Sequence, residues 1–249
     1  MKKIYNSNGN YYKIYNKDCL IQMKKIKDKS IDLILCDLPY GITWLEWDKV
    51  INYKKLWKQY KRIIKDNGAI VLFSKQPFTT YLIYNNIDIF KYCLIWKKDN
   101  IDNFPQAKRR FVNITEDICV FYKSQPIYNP QGIKKYNKEV KQGRGKSVSF
   151  IQDRNESYTQ EYTNYPRNIL EFNRDLPNVH PTQKPIKLLE YLIKTYSNEN
   201  EIVLDNTMGS GSTGVACINT KRNFIGIELS KEYYNIAKKR LEENTISLF

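Results

Sequence analysis

The chain has 249 residues, of which 41% are hydrophobic and 14% aromatic, so it is long enough to bury a sizeable core. It carries 41 Lys and Arg against 26 Asp and Glu, a net charge of +15. This excess favours a polyanionic partner, because basic proteins commonly neutralise phosphates; codon bias in an AT-rich genome is the alternative source of the lysines. No apolar run approaches a membrane span and the N-terminus lacks the apolar segment of a signal peptide, so we expect a cytoplasmic protein.

The five cysteines are scattered and form no C-x-x-C pair. Three of them fall in predicted strands, which indicates buried apolar side chains in a reducing compartment and argues against a zinc site.

The first strong element is the apolar run Ile31–Cys36, which is typical of a strand buried on both faces of a parallel sheet. The run ends abruptly at Asp37-Leu38-Pro39-Tyr40-Gly41, where a proline and a glycine force a tight loop. In an open α/β sheet, ligands bind beyond the carboxyl ends of strands. Asp37 and Tyr40 are therefore candidate site residues, the alternative being a polar cap and a packed tyrosine.

The rest of the chain alternates between helical and strand patterns. Residues 53–64 repeat apolar side chains at i, i+3, i+4 and i+7, which predicts an amphipathic helix that Asn67-Gly68 ends. Further strands are predicted at residues 10–15, 69–73, 92–96, 117–122, 201–205 and 223–228, and further helices at 18–26, 79–85, 186–196, from the glycine turn to 219, and 231–244. We expect 92–96 and 117–122 to pair as a hairpin at one edge. The alternation predicts an α/β protein with a parallel sheet and helices on its faces.

Apolar periodicity disappears in residues 125–175, where polar residues, Gly, Tyr and Lys dominate. We therefore divide the chain at 1–124, 125–175 and 176–249. Residues 131–146 contain six cationic side chains and one acidic one, Glu139, which gives a net charge of +5, and tyrosines lie among them. This segment is therefore a candidate for binding along a phosphate backbone. A solvated insertion is the alternative. The six cations are Lys134, Lys135, Lys138, Lys141, Arg144 and Lys146.

A second candidate site follows the strand at 201–205. Gly209–Gly214 fits G-x-G-x-x-G, with a strand before it, a helix after it and Glu228 about twenty residues on. The glycines allow a ligand to approach the backbone, and Glu228 can accept both hydroxyls of a ribose. The pattern predicts a nucleoside-containing cofactor, NAD or S-adenosylmethionine. A dinucleotide fold usually begins with this turn, whereas here the turn lies near the C-terminus, which favours S-adenosylmethionine.

Together these residues resemble a family. Asp37-Leu38-Pro39-Tyr40 resembles the D-P-P-Y catalytic motif of DNA amino-methyltransferases, and Asp205–Gly214 resembles their S-adenosylmethionine-binding motif. The order of catalytic motif, variable basic segment and cofactor motif is similar to the beta arrangement of that family. His180–Pro185 resembles the segment before its cofactor-side helix. Two departures are Leu38 in place of the first proline, and Asn206-Thr207-Met208, which lacks the aromatic often found before the first glycine.

The resemblance implies a mostly parallel, seven-stranded Rossmann-like methyltransferase sheet with helices on both faces, and a target-recognition segment inserted at 125–175. It implies S-adenosylmethionine as cofactor and double-stranded DNA as partner, and it leaves a homodimer and a restriction-enzyme partner open. The implied catalytic residues are Asp37, Leu38, Pro39 and Tyr40. The implied cofactor-binding residues are Asp205, Thr207, Gly209, Ser210, Gly211, Glu228, Leu229 and Lys184, the last as a partner of the cofactor's carboxylate.

The implied reaction is direct methylation of an exocyclic amine on a flipped base. Tyr40 would stack on the base, while the Asp37 carboxylate and the Leu38 carbonyl would accept the two amine hydrogens. An initial Asp resembles enzymes that methylate adenine at N6. The cytosine amine, RNA, a binding module with a degenerate cofactor site, and a nicotinamide oxidoreductase are the alternatives. Trp44 and Trp47 are candidate walls of the base pocket, or else core residues, and His180 is more typical of a structural histidine than of a general base.

Overall fold

The computed structural model describes residues 4–5, 9–41, 51–141, 157–175 and 183–246. Trp44, Trp47, Arg144, Lys146 and His180 lie outside the described residues. The chain divides into two compact units, one formed by 1–129 with 168–249 and the other by 130–167. None of the helices in the described ranges is long and apolar enough to cross a membrane.

The larger unit contains nine strands and six helices among its described residues. The strands are β1 (Ile4–Tyr5), β2 (Tyr11–Asn16), β3 (Ile31–Asp37), β4 (Ile64–Ser74), β5 (Phe90–Asp102), β6 (Asn113–Phe121), β9 (Ile169–Glu171), β10 (Ile202–Asp205) and β11 (Asn223–Glu228). The helices are α1 (Cys19–Met23), α2 (Tyr53–Ile63), α3 (Phe78–Tyr84), α4 (Ile186–Tyr196), α5 (Ser212–Asn219) and α6 (Lys231–Ile246). The smaller unit contains β7 (Lys134–Lys141) and β8 (Ser157–Thr163).

The nine strands form one sheet in the order β1-β2-β11-β10-β3-β4-β6-β5-β9. The neighbours β2–β11, β11–β10, β10–β3, β3–β4 and β5–β9 pair in parallel, whereas β1–β2, β4–β6 and β6–β5 are antiparallel. The α/β class is confirmed, but the sheet is mixed and the expected count of seven strands is wrong for the described residues. The two short strands β1 and β9 extend the sheet at its edges, and their two and three residues carry too little pattern to be predicted.

Helices cover both faces of the sheet, as expected. On β3, Leu33 and Leu35 face the cluster that contains the apolar sides of α4, α5 and α6. Ile34 and Cys36 face the opposite cluster, which contains those of α1, α2 and α3. Because both faces are covered, β3 reads as a continuous apolar run in the sequence. Its carboxyl end is the part of the strand left open to a ligand.

The amphipathic helix at residues 53–63 is confirmed, but the role predicted for Asn67-Gly68 is wrong. Helix α2 begins after Asn52, whose side chain accepts the Lys55 N–H at 3.1 Å, and ends at Ile63. The chain then enters β4 directly, and Asn67 and Gly68 lie in a bulge between the pairings Ile31–Ile64 and Leu33–Ala69. A Cβ atom on Gly68 would lie 2.8 Å from the Asp32 carbonyl oxygen, so the bulge requires glycine.

The strands β5 and β6 pair as a hairpin, as predicted, but β6 lies inside the sheet, between β4 and β5. Both strands are longer than predicted. Their outer parts were missed because the sequence beyond Trp96 and before Asp117 is polar and lacks the apolar pattern that predicts a strand. Their connecting turn contains a 3-10 helix at Phe104–Gln106.

The smaller unit is a two-stranded antiparallel sheet of β7 and β8. It occupies the middle of the segment predicted as an insertion. Lys134, Lys135 and Lys138 are exposed on β7, which also contains Lys141, and the Lys138 ammonium lies 5.2 Å from the Tyr136 ring centroid. The four described lysines of the predicted DNA-binding set therefore share one strand.

Candidate active site

A cavity of about 1040 Å³ opens at the carboxyl ends of β3, β4, β10 and β11. It is lined by the loop at residues 37–40, by the turn at 205–210 and by residues 228–230. The two motifs identified from the sequence therefore meet in one cavity. Its volume slightly exceeds the roughly 300–1,000 Å³ that is usual for ligand pockets, which leaves room for two adjacent ligands.

The loop after β3 is fixed by two hydrogen bonds and by packing of Leu38 in the core. The Tyr40 hydroxyl donates to Asp37 Oδ1 at 2.7 Å, and its ring lies 5.0 Å from Phe78. The Tyr53 hydroxyl donates to the Pro39 carbonyl at 3.0 Å. The side chain of Leu38 is 2% exposed and packs in the core, so an apolar residue here suits the fold as well as the proline of the motif.

A buried ammonium group joins two carboxylates at the base of this loop. Lys184 Nζ lies 2.8 Å from Asp37 Oδ2 and 2.7 Å from Glu116 Oε1, and 5.1 Å from the Phe73 ring centroid. Burial acts to lower the pKa of Lys184, but the charges of Asp37 and Glu116 outweigh it and raise the pKa above its ordinary value. Lys184 is therefore a fixed cation inside the site.

These partners and its low exposure show that Lys184 does not lie on the surface, which was the alternative expected for it. Its expected pairing with a cofactor carboxylate stays a prediction. Sequence reasoning missed Glu116, which β6 brings to the cavity because that strand runs antiparallel to β4 and begins at the edge where β3 ends. The signal available in the sequence is an acidic residue at the start of the apolar run Ile118–Phe121.

Further charges continue this network along the β5 wall of the cavity. Lys98 pairs with Asp102 and lies 4.0 Å from Glu116, and Lys75 Nζ lies 2.9 Å from Asp102. Burial acts to raise the pKa of Asp102, but hydrogen bonds from Lys98 and Lys75 outweigh it and lower the pKa. The cavity wall therefore alternates ammonium and carboxylate groups.

The glycine turn between β10 and α5 is bound tightly to the protein around it. Gly211 has φ +82°, and a Cβ atom there would lie 2.9 Å from Ala237 Cβ, so the turn can pass close to α6 only with glycine. Ser210 is buried, and Arg240 donates to its carbonyl oxygen at 2.8 Å. Thr207 Oγ1 donates to the Asp37 carbonyl at 2.9 Å, which links the turn to the loop at residues 37–40, called the catalytic-motif loop below.

Two acidic side chains organise the backbone of this turn. Asp205 accepts the Thr207 N–H at 3.1 Å and the Thr213 hydroxyl at 2.7 Å, and burial raises its pKa to about 7. Glu228 accepts the Gly209 N–H at 2.9 Å through one oxygen and the Ser230 N–H at 2.7 Å through the other, and burial raises its pKa. Both carboxylates line the cavity, and Glu228 retains acceptor capacity for a ligand.

Leu229 completes this part of the cavity lining; it is 70% exposed. All predicted cofactor-side residues except Gly211 therefore line one cavity together with Asp37–Tyr40, whereas the lysines of β7 belong to the smaller unit.

A family described as DNA methylase matches residues 31–239 of the chain. The chain belongs to this family, the N6/N4 DNA methylases. The DNA adenine methyltransferase YhdJ of Escherichia coli K12 is 30% identical over 92% of this chain and 82% of its own. The type II methyltransferase M.HinfI of Haemophilus influenzae is 31% identical over 91% of this chain and 67% of its own.

Solved structures agree with this assignment to the DNA methylases. The crystal structure of the M1.HpyAVI–SAM complex has a TM-score of 0.63 and 29% identity, covering 92% of this chain and 100% of that one. The PvuII cytosine-N4-specific DNA methyltransferase has a TM-score of 0.69 at 15% identity, over 98% and 93% of the two chains, which shows a shared fold. Because the DNA methylases use S-adenosylmethionine, the chain is a methyltransferase with that cofactor, and the oxidoreductase alternative is set aside.

Proposed function

We propose that the protein methylates the N6-amino group of adenine in DNA at a specific site, by extruding the base and transferring the methyl group directly from S-adenosylmethionine. The observation that carries this proposal is the single cavity shared by the Asp37–Tyr40 loop and the glycine turn, with Thr207 hydrogen-bonded to the Asp37 carbonyl. The name of YhdJ, a DNA adenine methyltransferase, supports adenine as the base.

The residues of the glycine turn fit the cofactor. Glu228 and Gly209 would hold its nucleoside, because a carboxylate acceptor for the ribose hydroxyls lies beside a glycine backbone that carries no side chain. The exposed Leu229 side chain would contact the adenine ring in place of the aromatic residue that the turn lacks. When bound, the cofactor supplies an electrophilic methyl group on a sulfonium.

The catalytic-motif loop would orient the amine. The Asp37 oxygens each accept one hydrogen bond from the protein, and a carboxylate has about four acceptor positions, so each oxygen can still accept from an amine. The Leu38 carbonyl would accept the second amine hydrogen, and Tyr40 would stack on the base. Because positive charge develops on the amine nitrogen during transfer, the Asp37 carboxylate would stabilise it by electrostatic attraction.

Methylation of the cytosine amine is the second candidate, because the family comprises both N6 and N4 enzymes. Transfer to RNA is the third. The test is to incubate genomic DNA with the protein and methyl-labelled cofactor, and to identify the modified base by mass spectrometry and its position by modification-sensitive sequencing. Label on N6 of adenine at one sequence supports the proposal. Label on cytosine, or on RNA alone, overturns it.

The variant Asp37→Ala tests the assigned role of that carboxylate. We expect methyl transfer to be lost while cofactor affinity changes little, because Asp37 contacts the amine and the glycine turn is intact. Retained methyl transfer in this variant would contradict the mechanism.

The segment at 125–175 is proposed to read the target sequence, with the lysines of β7 on the phosphates. Exchanging β7 lysines for glutamine should weaken DNA binding and leave cofactor binding unchanged. A restriction enzyme of the same specificity is a proposed partner, because M.HinfI and other relatives are named type II methyltransferases. The homodimer and the cytoplasmic location stay predictions.

A further inference from the structure

The β5–β6 hairpin extends beyond the sheet at the edge where the cavity opens. The last pairing of β6 with β4 joins Asp117 to Ser74, the final residue of β4. Residues 113–116 of β6 continue past this point and pair with β5 up to Asp102–Asn113. At about 3.3 Å per residue the strands project roughly 13 Å past the end of β4 before the turn begins. We call the turn at residues 103–112 the arm.

The base of this hairpin is part of the cavity wall. Trp96, Lys98, Asn100 and Asp102 of β5 and Glu116 of β6 line the cavity. Because the strands continue outward from these residues, the arm lies at the mouth of the cavity.

The arm is an ordered turn. The Asn103 side chain accepts the Asn113 N–H at 2.9 Å, and the backbone N–H groups of Arg109 and Arg110 donate to the Gln106 carbonyl at 2.8 and 3.1 Å. Neither arginine side chain is needed for these bonds, so both are available to a partner.

The side chains of the arm combine positive charge with exposed aromatic surface. Lys108, Arg109 and Arg110 are exposed, and residues 103–112 contain no acidic residue, so the arm carries +3. Phe111 is 99% exposed and Phe104 is 67% exposed. A phenylalanine left in water forgoes the free energy of burying its ring, so these rings point to a partner that covers them.

We propose that the arm contacts the DNA duplex beside the extruded nucleotide. Lys108, Arg109 and Arg110 bind phosphates, and Phe111, supported by Phe104, packs against the bases that lose a stacking neighbour when the target leaves the helix. Charge complementarity and position at the cavity mouth favour nucleic acid as the partner. The proposal rests on the proposed function, since it requires a base to be extruded into the cavity.

The first test measures the salt dependence of DNA binding. The triple variant Lys108→Gln, Arg109→Gln, Arg110→Gln is compared with the wild type by fluorescence anisotropy on a short labelled duplex. Each lost phosphate contact lowers the slope of log affinity against log salt by about 0.9, so we expect a loss of roughly 2–3. The matched control removes three exposed lysines, with the substitutions Lys24→Gln, Lys25→Gln and Lys27→Gln. These lysines precede the amino end of β3, whereas the cavity opens at its carboxyl end.

The control should keep the wild-type slope. Equal slopes for the arm variant and the wild type would overturn the charge contact. An equal loss in arm and control variants would also overturn it, because the effect would then follow net charge alone.

The second test isolates the ring of Phe111 at the mapped target site. Phe111→Ala should lower methyl transfer to an intact duplex by about 5-fold to 150-fold, the equivalent of 1–3 kcal/mol. The loss should shrink on a duplex with a mismatch at the target, because a mispaired base is easier to extrude. Phe111→Trp should retain activity, and Tyr84→Ala, which removes another ring that is 80% exposed, should have no effect.

Wild-type rates for Phe111→Ala on the intact duplex would overturn the stacking role, as would a loss of the same size on both duplexes. If the wild-type protein methylates no DNA, the proposed function fails; if it methylates DNA and the arm variants behave as wild type, only the arm proposal fails.

Discussion

Lys184 holds the Asp37 carboxylate, the proposed catalytic group, beside the carboxylate of Glu116, and removing this lysine has a calculable effect. Its ammonium lies 2.8 Å from Asp37 and 2.7 Å from Glu116, so the two carboxylate oxygens are at most about 5.5 Å apart. Without the ammonium, two like charges at that separation repel by about 3 kcal/mol at an effective dielectric constant of 20. The variant Lys184→Met exposes this repulsion without adding a new charge.

A carboxyl pair relieves such repulsion by binding a proton. About 3 kcal/mol corresponds to roughly a hundredfold increase in proton affinity, so the acid limb of the pH–rate profile for methyl transfer should move up by roughly two pH units. We expect Lys184→Met to lose more activity at acidic than at alkaline pH. Cofactor affinity, measured in parallel, tests the predicted pairing of Lys184 with the cofactor carboxylate: an unchanged affinity would limit the lysine to its contacts with Asp37 and Glu116.

The assay is the single-turnover rate of methyl transfer across pH, with thermal unfolding measured in parallel. Lys184→Arg retains the charge and should keep the wild-type limb. Adding Glu116→Gln to Lys184→Met removes the second carboxylate and should return the limb toward its wild-type position. An acid limb of Lys184→Met that coincides with that of the wild type would refute the reasoning.

Three further predictions concern the cofactor side of the site. Burial raises the pKa of Asp205 to about 7 in the folded protein, against an ordinary value of 3.8, so folding favours its neutral form. The folded state should therefore lose about 4 kcal/mol of stability as the pH rises from 4 to 7. Asp205→Asn lacks this titration, so its free energy of unfolding in urea should increase relative to that of the wild type over the same pH range. A pH-independent difference would contradict this prediction. Gly214→Ala places a Cβ atom 2.7 Å from Leu241 and 2.8 Å from Phe224, which are both fully buried. The variant should lower the free energy of unfolding by about 1–3 kcal/mol. An unchanged midpoint of urea unfolding would show that the neighbouring side chains shift to accommodate the methyl group. Glu228→Gln leaves either the Gly209 N–H or the Ser230 N–H without its carboxylate acceptor. The variant should bind the cofactor at least about fivefold more weakly in calorimetry. An unaltered affinity would exclude Glu228 from the cofactor site.

The sequence by itself determined the local features on which both motifs depend. The continuous apolar run of β3 and the loop that ends it are encoded within Ile31–Gly41, and the glycine turn is encoded within Asp205–Gly214. The amphipathic pattern of α2 likewise predicted a helix whose bounds the structure confirms to within a residue. Each of these patterns reflects interactions between residues near one another in the chain, which is why single-sequence reasoning recovers them.

Only the tertiary structure decided what these segments contact. The position of β6 between β4 and β5 brings Glu116 to the cavity, and the start of α4 brings Lys184 between Glu116 and Asp37. The bulge at Gly68 depends on the Asp32 carbonyl of the neighbouring strand. These contacts join residues from separate strands and helices, so no periodicity or spacing in the sequence records them. The ammonium beside the Asp37 carboxylate depends on both the order of the strands and the placement of the segment that leads into α4.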